Sequence, residues 1–354
     1  MSKILRLGFI GAGDIANLQL KLLEKRKDVQ VVAVADINQE ILNKRAAQMP
    51  DTRCFTDHKQ MLAEVTLDAV SVCTPNKFHA LPSVDALAAG CHVLCEKPLA
   101  TSEAECREML AAAKAADRSL IVGFQYRFDP RTRYIRAAYD AGDLGKVLYG
   151  RVQAMRRRGI PNWGRFGEKA VQGGGPLIDI GVHALEMAHY AMGSPKPVSA
   201  SADMFTYIGN QPGTDMVSMW PNWNHETYDV EDLAVGRIRF DNGAVIHIES
   251  AFAAHIAENS VMNFQLMGDR GGAVWDKPQV FTDEHQHLVD KTPAWLPDTG
   301  FEKTFKRKMD AFVEHVLNGA ENIAPGADGL VVQAMLNGLY RSAEAGGREI
   351  EISA

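Results

Sequence analysis

The stretch ILRLGFIGAGDIANLQLKLL, residues 4–23, starts as an apolar strand, turns through two glycines and continues with the periodicity of a helix. Its turn has the form G-x-G-x-x-A, in which Gly11, Gly13 and Ala16 are the small residues. In such a unit the first glycine permits the sharp bend, the second lets the backbone approach a pyrophosphate, and the third position packs helix against strand. The stretch therefore predicts a dinucleotide-binding turn, with the pyrophosphate at the amino end of a helix that begins near Asp14.

A second apolar strand, residues 29–38, ends in Asp36 at about the 20-residue distance typical of this unit. A carboxylate there can accept hydrogen bonds from the ribose hydroxyls and repels a 2′-phosphate, and no Arg or Lys follows immediately. NAD is therefore favoured over NADP. Asp36 could instead be the N-cap of the next helix, a role that Asn38 could fill equally well. The cofactor contacts predicted from these two strands are Gly11, Ala12, Gly13, Asp14, Ile15 and Asp36.

Further strand–helix units follow up to residue 128, which predicts an α/β fold with an N-terminal Rossmann domain, a doubly wound parallel sheet. Ligands bind such a sheet at the carboxyl ends of its strands, where CTPN and CEKP stand. The charges of Glu96 and Lys97 break an apolar strand, and this costs desolvation free energy unless they are paired or used. The position of Glu96 and Lys97 at the carboxyl end of a strand favours a functional role for these charges. The cofactor contacts predicted at these ends are Thr74, Pro75, Asn76, His79, Glu96 and Lys97.

Length and composition narrow the class of protein. A chain of 354 residues, 46% apolar and 23% charged, predicts a packed protein of two domains. With a net charge of −6, the chain lacks the basic surface of a nucleic-acid-binding protein, so that class is not expected. The absence of a signal peptide and of a long apolar run predicts a soluble, cytoplasmic protein with no membrane contact. Five cysteines without a metal-binding spacing predict reduced thiols and no metal site.

The second half of the chain has a different pattern of predicted secondary structure. From about residue 145 it shows long strands, with Asp-Asn-Gly at 241–243 as a hairpin turn, and it closes with two helical patterns. These features predict a C-terminal α+β domain with a large open, mainly antiparallel sheet. We place the Rossmann domain at residues 1–124 and the substrate-binding and oligomerisation domain at 125–354, and leave open that the C-terminal helices pack back on the first domain.

The stretches GAGDIA, CTPNKFHA and GCHVLCEKPLA, together with QGGGPLIDIGVHALEMAHY at 172–190, resemble the glucose-fructose oxidoreductase/inositol dehydrogenase/MocA family of nicotinamide-dependent sugar and cyclitol dehydrogenases. The resemblance implies that Lys97 reaches between nicotinamide and substrate, and that Asp179 and His183 face it from the second domain. It also implies that another subunit covers the open sheet, in a homodimer or homotetramer. The chain has Gln125 and Tyr126 where the family often has Asn.

The reaction implied is hydride transfer between a secondary hydroxyl and nicotinamide, which needs a group that takes or gives the hydroxyl proton. We predict His183 for proton transfer and Lys97 for orienting the hydroxyl, with the roles exchangeable, because a His titrates near neutral pH. Asp179 lies one helical turn from His183 and shares its face. Taken singly, Asp179 could be a helix N-cap, His183 a structural histidine and Lys97 a surface lysine.

A run of three arginines, Arg156 to Arg158, leads into a loop that contains Trp163. Strand alternation would put Arg156 and Arg158 on one face. Guanidinium groups beside an aromatic plane suit a sugar with an anionic group, although a solvated or subunit-interface role is the simpler interpretation. The predicted substrate contacts are Tyr126, Arg158, Trp163, Asp179 and His183.

The leading interpretation is an NAD-dependent dehydrogenase of a sugar, glycoside or cyclitol. The alternative is an NAD-dependent glycoside hydrolase that works by oxidation, elimination, water addition and re-reduction. It would need a second proton acceptor, for which the candidates are Tyr126, Asp179 and His189. A regulatory module that senses NAD(H) without turnover would have a broken catalytic set, whereas here the set is intact.

Overall fold

The computed structural model of the protein describes residues 4–212 and 218–353. In chain order its strands are β1 (Leu5–Ile10), β2 (Val29–Ala35), β3 (Arg53–Phe55), β4 (Ala69–Val72), β5 (His92–Cys95), β6 (Leu120–Val122), β7 (Val147–Arg156), β8 (Pro197–Phe205), β9 (Leu233–Phe240), β10 (Val245–Ala251), β11 (Ser260–Gly268), β12 (Gly271–Val274), β13 (Gln279–Glu284), β14 (His287–Lys291) and β15 (Ile350–Glu351).

The α-helices are α1 (Asp14–Leu23), α2 (Gln39–Gln48), α3 (His58–Glu64), α4 (Ala80–Ala88), α5 (Glu103–Ala116), α6 (Pro130–Asp140), α7 (Lys169–Gln172), α8 (Val182–Ala191), α9 (Phe301–Asn318) and α10 (Gly326–Glu344). Two short 3₁₀ segments cover Asn76–Phe78 and Gln125–Phe128, and a π-helical turn covers Leu177–Gly181.

The chain divides into two compact units by its internal contacts. The first contains Met1–Phe128 and Gly300–Leu330, and the second contains Asp129–Thr299 and Val331–Ala354. Helix α9 therefore belongs to the first unit, where it packs against α1 and β1. The division passes through α10.

The first unit is built on a six-stranded parallel sheet in the order β3-β2-β1-β4-β5-β6. Apart from the exposed Arg6, the central strands β1 and β4 are buried, as in a sheet with helices on both faces, and Leu5, Leu7 and Phe9 of β1 have no exposed surface. The strand order reverses between β1 and β4, which is where doubly wound sheets bind their ligands. The predicted Rossmann fold is confirmed.

The second unit is built on a nine-stranded sheet in the order β14-β13-β12-β11-β7-β10-β9-β8-β15. Strands β7 and β10 pair in parallel, and the other neighbouring strands pair antiparallel. Strands β9 and β10 form the hairpin expected at Asp-Asn-Gly, where Gly243 takes φ +87°. Helix α8 packs on β7 and β11. The predicted mainly antiparallel sheet is confirmed.

The arginine run differs from the strand alternation expected of it. Strand β7 ends at Arg156, and Arg158 lies beyond it in an isolated bridge to Ala253. Across the described residues, no helix combines the length and apolar character that a membrane span requires.

Candidate functional site

The glycine turn after β1 packs directly on the end of β4. Gly11 takes φ +86°, and a Cβ built on it would lie 2.7 Å from the backbone of Cys73 and Thr74. Only glycine fits here, because a side chain would both strain the backbone and collide with the neighbouring strand. A Cβ built on Gly13 has no described heavy atom within 4 Å apart from its chain neighbours. The space beside Gly13 fits the close approach of a pyrophosphate.

Helix α1 begins at this turn with Gly13 as its N-cap. Because glycine has no side chain, it cannot cap the first amides of the helix, which also lack intrahelical partners. Asp14 and Ile15 are exposed, whereas Ala16 is buried against the sheet. This arrangement is the usual cradle for the anionic centre of a dinucleotide.

Asp36 follows β2 and holds the glycine turn. Its Oδ2 accepts a hydrogen bond of 2.7 Å from the Ala12 amide, and its Oδ1 accepts one of 2.8 Å from the Asn38 amide. The N-cap of α2 is Asn38, whose Oδ1 accepts from the amides of Glu40 and Ile41. The capping role left open for Asp36 therefore belongs to Asn38.

Arg45 supports the same turn, and the sequence reasoning missed it. This buried side chain on α2 donates to the Ala12 carbonyl at 2.9 Å and to Asn17 Oδ1 at 2.6 Å. A basic residue on the inner face of a short helix was the feature of the sequence that could have indicated this role. Its guanidinium orders the glycine turn through backbone and amide oxygens.

Thr74, Pro75 and Asn76 lie at the carboxyl end of β4 with part of their surface exposed. His79 behind them is 1% exposed, and its ring joins two loops. Its Nε2 lies 2.8 Å from the Thr74 carbonyl oxygen and its Nδ1 lies 2.7 Å from that of Pro98. Burial lowers the pKa of His79, although both carbonyl contacts oppose this. The ring ties the loop after β4 to the loop after β5.

Glu96 is paired inside the first unit. Its Oε1 accepts hydrogen bonds from Lys308 on α9 and, at 2.7 Å, from Gln19 on α1, whose own amide oxygen accepts from Ser71 at 2.7 Å. Lys308 is 1% exposed and Gln19 is fully buried. Polar residues on the apolar faces of two helices were the signal for this network. The charge that breaks the apolar strand is therefore balanced, and a contact of Glu96 with the cofactor stays a prediction.

Lys97 comes next in the chain and is half-buried, with a cis peptide bond to Pro98. Tyr126 is half-buried in the 3₁₀ segment after β6, between the buried residues Gln125 and Arg127. Since β1, β2, β4, β5 and β6 are parallel, the segments that follow them share one edge of the sheet. The predicted cofactor residues, Lys97 and Tyr126 all lie in those segments.

In the second unit, Asp179 and His183 form a pair on one helical face. Asp179 lies in the π-helical turn and His183 in the first turn of α8. Both are half-buried, whereas every other residue from 177 to 189 is buried. Asp179 is inside the helical segment, whose N-cap position is Pro176, so the capping alternative is wrong. Local π-helical turns are frequent at functional sites.

Two residues that the sequence reasoning missed, the buried Glu231 and the half-buried Tyr340, hold the start of this segment. Glu231 accepts hydrogen bonds from the amides of Gly175 and Leu177, and the Tyr340 hydroxyl donates to the same carboxylate. Burial raises the pKa of Glu231. An acidic pair directly before an apolar strand, at 231–232, was the signal in the sequence.

The other predicted residues of the second unit have protein partners. The Arg158 guanidinium donates to the carbonyl oxygens of Arg157, at 2.6 Å, and Ala254, at 3.2 Å. Trp163 is 42% exposed and meets Trp220 edge to face at 4.7 Å. His189 is 2% exposed, and its Nε2 lies 2.8 Å from the Pro195 carbonyl oxygen. This burial makes His189 a structural histidine and removes it as a candidate proton acceptor.

These features fit a dinucleotide at the edge of the parallel sheet. The open space beside Gly13, the first amides of α1 and the carboxylate of Asp36 match the pyrophosphate and ribose of NAD in turn. The second unit presents a carboxylate and an imidazole one helical turn apart, and such groups can bind and deprotonate a hydroxyl group.

Comparison with known proteins gives the same assignment. The family model described as "Oxidoreductase family, NAD-binding Rossmann fold" matches residues 5–124, and the one described as "Oxidoreductase family, C-terminal alpha/beta domain" matches residues 136–352. D-glucoside 3-dehydrogenase of Escherichia coli K12 is 37% identical over 348 residues, which cover 98% of this chain and 97% of that protein.

More distant relatives share the whole length as well. Myo-inositol 2-dehydrogenase of Thermotoga maritima is 24% identical over 329 residues, 92% of each chain. A solved structure of levoglucosan dehydrogenase with NADH and levoglucosan superimposes with a TM-score of 0.84 at 24% identity, covering 99% of this chain and 100% of that one, and so has the same fold. The resemblance seen in the sequence is confirmed, and the chain belongs to the Gfo/Idh/MocA family of oxidoreductases with its NAD-binding Rossmann domain.

Proposed function

We propose that the protein is an NAD-dependent dehydrogenase that moves a hydride between nicotinamide and a secondary hydroxyl of a sugar, glycoside or cyclitol. The observation that carries this proposal is the 37% identity to a D-glucoside 3-dehydrogenase along 98% of the chain. The Asp179–His183 pair supports it, since these two residues alone among 177–189 have part of their surface exposed. Residues 1–124 bind the cofactor in this proposal and residues 125–354 bind the substrate.

Three side chains handle the reacting hydroxyl. NAD, when bound, supplies the hydride acceptor, so the chain has only to bind the polyol and move one proton. His183 accepts the hydroxyl proton on oxidation and returns it on reduction. Asp179 accepts a hydrogen bond from the substrate beside it, and Lys97 orients and polarises the hydroxyl oxygen as a cation.

Of the remaining predicted residues, some contact the cofactor and others support the loops that carry those contacts. Exposed groups at the sheet edge contact the dinucleotide, and Asp36 selects NAD over NADP through its charge. His79 supports the loops that carry Thr74 and Lys97, because its ring nitrogens contact a carbonyl oxygen in each loop. Glu96 is held by Lys308 and Gln19, and its contact with the cofactor remains part of the proposal.

A neutral polyol is the proposed substrate. Trp163 offers an exposed aromatic face to the C–H groups of a sugar. The Arg158 guanidinium already donates to two main-chain carbonyls, which weakens the argument for an anionic sugar. We further propose a cytoplasmic homo-oligomer, and the free state of all five cysteines agrees with a reducing compartment.

The test combines purified protein and NAD with neutral polyols, anionic sugars and aryl glycosides. Reduced nicotinamide and released aglycone are followed in the same cuvette. We expect reduced nicotinamide to accumulate in proportion to oxidised neutral substrate, without aglycone release. The His183→Gln variant should lower kcat by about 10²–10⁴-fold, the usual worth of a general base. His287→Gln, at an exposed hairpin position, is the matched control and should retain full activity.

Other results would each reject part of the proposal. Aglycone release over many turnovers with no net reduction of NAD would identify the redox-neutral hydrolase. Turnover confined to anionic sugars, and lost in Arg158→Ala, would restore the role predicted for that arginine. No reduction of NAD by any member of the panel would refute a polyol dehydrogenase.

A further inference from the structure

We propose that Glu231 and Tyr340 are positioning residues for Asp179 and His183. They fix the start of the helical segment from which both side chains emerge, and they act on the reaction only through that segment. The inference rests on the proposed function, because it assigns the two residues to the same reacting pair. We call Glu231, Tyr340, Gly174 and Gly175 the Glu231 clamp.

The carboxylate of Glu231 occupies the amino end of the segment. Its Oε2 accepts a 2.9 Å hydrogen bond from the Gly175 amide, and its Oε1 accepts a 3.1 Å hydrogen bond from the Leu177 amide. Amides at this end have no partner within the helix, and a negative group there also meets the positive end of the helix dipole. Glu231 therefore does the work of an N-cap from a distant part of the chain.

Tyr340 of α10 completes the clamp. Its hydroxyl donates to Glu231 Oε1 at 2.9 Å, and it also lies so near the backbone that a Cβ on Gly174 would fall 2.0 Å from its oxygen. A Cβ on Gly175 would lie 2.5 Å from the Glu231 carbonyl oxygen. The glycines before the segment are thus explained by packing, because any side chain would push Glu231 and Tyr340 away.

The clamp connects to the reacting pair through the backbone. The Asp179 amide donates to the Gly175 carbonyl at 3.1 Å, so the residue that carries the carboxylate is bonded to a clamped residue. Ser250 fixes the same turn from another side by donating to the Pro176 carbonyl at 2.8 Å. His183 follows Asp179 after one turn of this continuous helical segment. A shift of the clamped residues consequently moves both side chains together.

The test compares two tyrosines, the half-buried Tyr340 and the buried Tyr228, each of which loses one hydroxyl. Tyr340→Phe removes the hydrogen bond to the Glu231 carboxylate. Tyr228→Phe is the matched control, since the Tyr228 hydroxyl donates to the main-chain oxygen of Glu231 at 3.2 Å. Because a misplacement of about 1 Å costs about 10²-fold in rate, we expect partial loss of the clamp to lower kcat by about tenfold in Tyr340→Phe. NADH affinity should stay unchanged, and the control should stay within about twofold of the parent.

Thermal unfolding midpoints identify the temperature at which the parent and all three variants are folded, and kinetics are measured there. A tenfold loss of kcat in Tyr340→Phe alone, with unaltered NADH affinity, supports the proposal. Equal losses in both variants, or full activity in Tyr340→Phe, would overturn it. Glu231→Gln replaces one acceptor by a donor that opposes a backbone amide, so its kcat should fall further, and a smaller loss than that of Tyr340→Phe would also overturn it.

Amide hydrogen exchange of the peptide 174–183 separates this proposal from the proposed function. We expect faster exchange of that peptide in Tyr340→Phe than in Tyr228→Phe. If the peptide exchanges faster in Tyr340→Phe but the parent protein oxidises no polyol, the clamp is supported and the dehydrogenase is rejected. If the parent is active and the peptide exchanges equally fast in Tyr340→Phe and Tyr228→Phe, only the clamp is rejected.

Discussion

The carboxylate of Asp36 accepts two main-chain hydrogen bonds at the place where we predict a cofactor contact. One oxygen accepts from the Ala12 amide of the glycine turn and the other from the Asn38 amide after β2. The side chain is half-buried at the end of its strand, where the adenosine ribose of a dinucleotide lies in this fold. We therefore expect both the shape of the turn and the choice of cofactor to depend on this residue.

Replacing Asp36 by Asn should weaken NAD and reduce discrimination against NADP. The amide group cannot accept from both neighbouring N–H groups, and it no longer repels a 2′-phosphate. We expect kcat/KM for NAD to fall by about tenfold, equivalent to about 1.4 kcal/mol, and the NAD-to-NADP preference to narrow. Asp57→Asn, which alters the exposed N-cap of α3, is the control. An unchanged cofactor preference in steady-state kinetics would contradict the role of Asp36.

The Glu96–Lys308 pair makes a second prediction for single residues. Lys308→Met leaves the buried Glu96 carboxylate without its cation, so the free energy of unfolding should fall by about 3–5 kcal/mol. The double variant Glu96→Gln/Lys308→Met should recover much of that loss, because no buried charge remains. Urea unfolding of the full double-mutant cycle measures this coupling. Lys306→Met is the control on the exposed side of α9, and a loss as large as that of Lys308→Met would contradict the buried pair.

At the scale of elements, Arg26 joins the end of α1 to α9. Its guanidinium pairs with Asp28 at 2.6 Å, Asp310 at 3.1 Å and Glu314 at 2.7 Å. The hydrogen bond from Arg26 lowers the pKa of Asp28 below its ordinary 3.8 and that of Glu314 below its ordinary 4.5. Carboxylates with a lowered pKa stabilise the fold above the ordinary values, and this stabilisation is lost as the pH falls through the lowered ones.

Arg26→Gln should therefore be less stable than the parent at pH 7, and the difference should shrink as the solution is acidified below the ordinary carboxylate values. Salt should also reduce the difference, because the carboxylates are partly exposed. Urea unfolding between about pH 7 and pH 3 measures both effects. A difference that is independent of pH would show that Arg26 acts through packing alone.

The elements differ in how far sequence alone predicts them. The unit β1–α1 and the hairpin β9–β10 follow from local patterns, the glycine turn and Asp-Asn-Gly, so both were predicted. The π-helical turn at Leu177–Gly181 was missed, because it is held by Glu231 and Tyr340, which are distant in sequence. Likewise Lys308 on α9 pairs with Glu96 over a separation of 212 residues, and no local pattern contains such a pair.

At the scale of the whole molecule, the question is what covers the second face of the nine-stranded sheet. Ala154, Ile248 and Phe264 are buried on the face that α8 covers. The alternating positions carry Arg151, which is exposed, and the half-buried Gln153 and Glu249. An antiparallel sheet can present such a polar face to water, so a second copy of the chain is a proposal that solution measurements have to test.

We expect a homodimer or homotetramer whose subunits meet through this face. Gln265 lies opposite Arg151 in the sheet, so Gln265→Lys adds a second positive charge there. An isologous interface would place the added charge near its symmetry mate, and the dissociation constant of the oligomer should rise by about tenfold or more. Light scattering across a dilution series measures the mass, with Gln60→Lys on the exposed surface of α3 as the matched substitution. A monomeric parent, or equal behaviour of the two lysine variants, would mean that this face of the sheet is exposed to water.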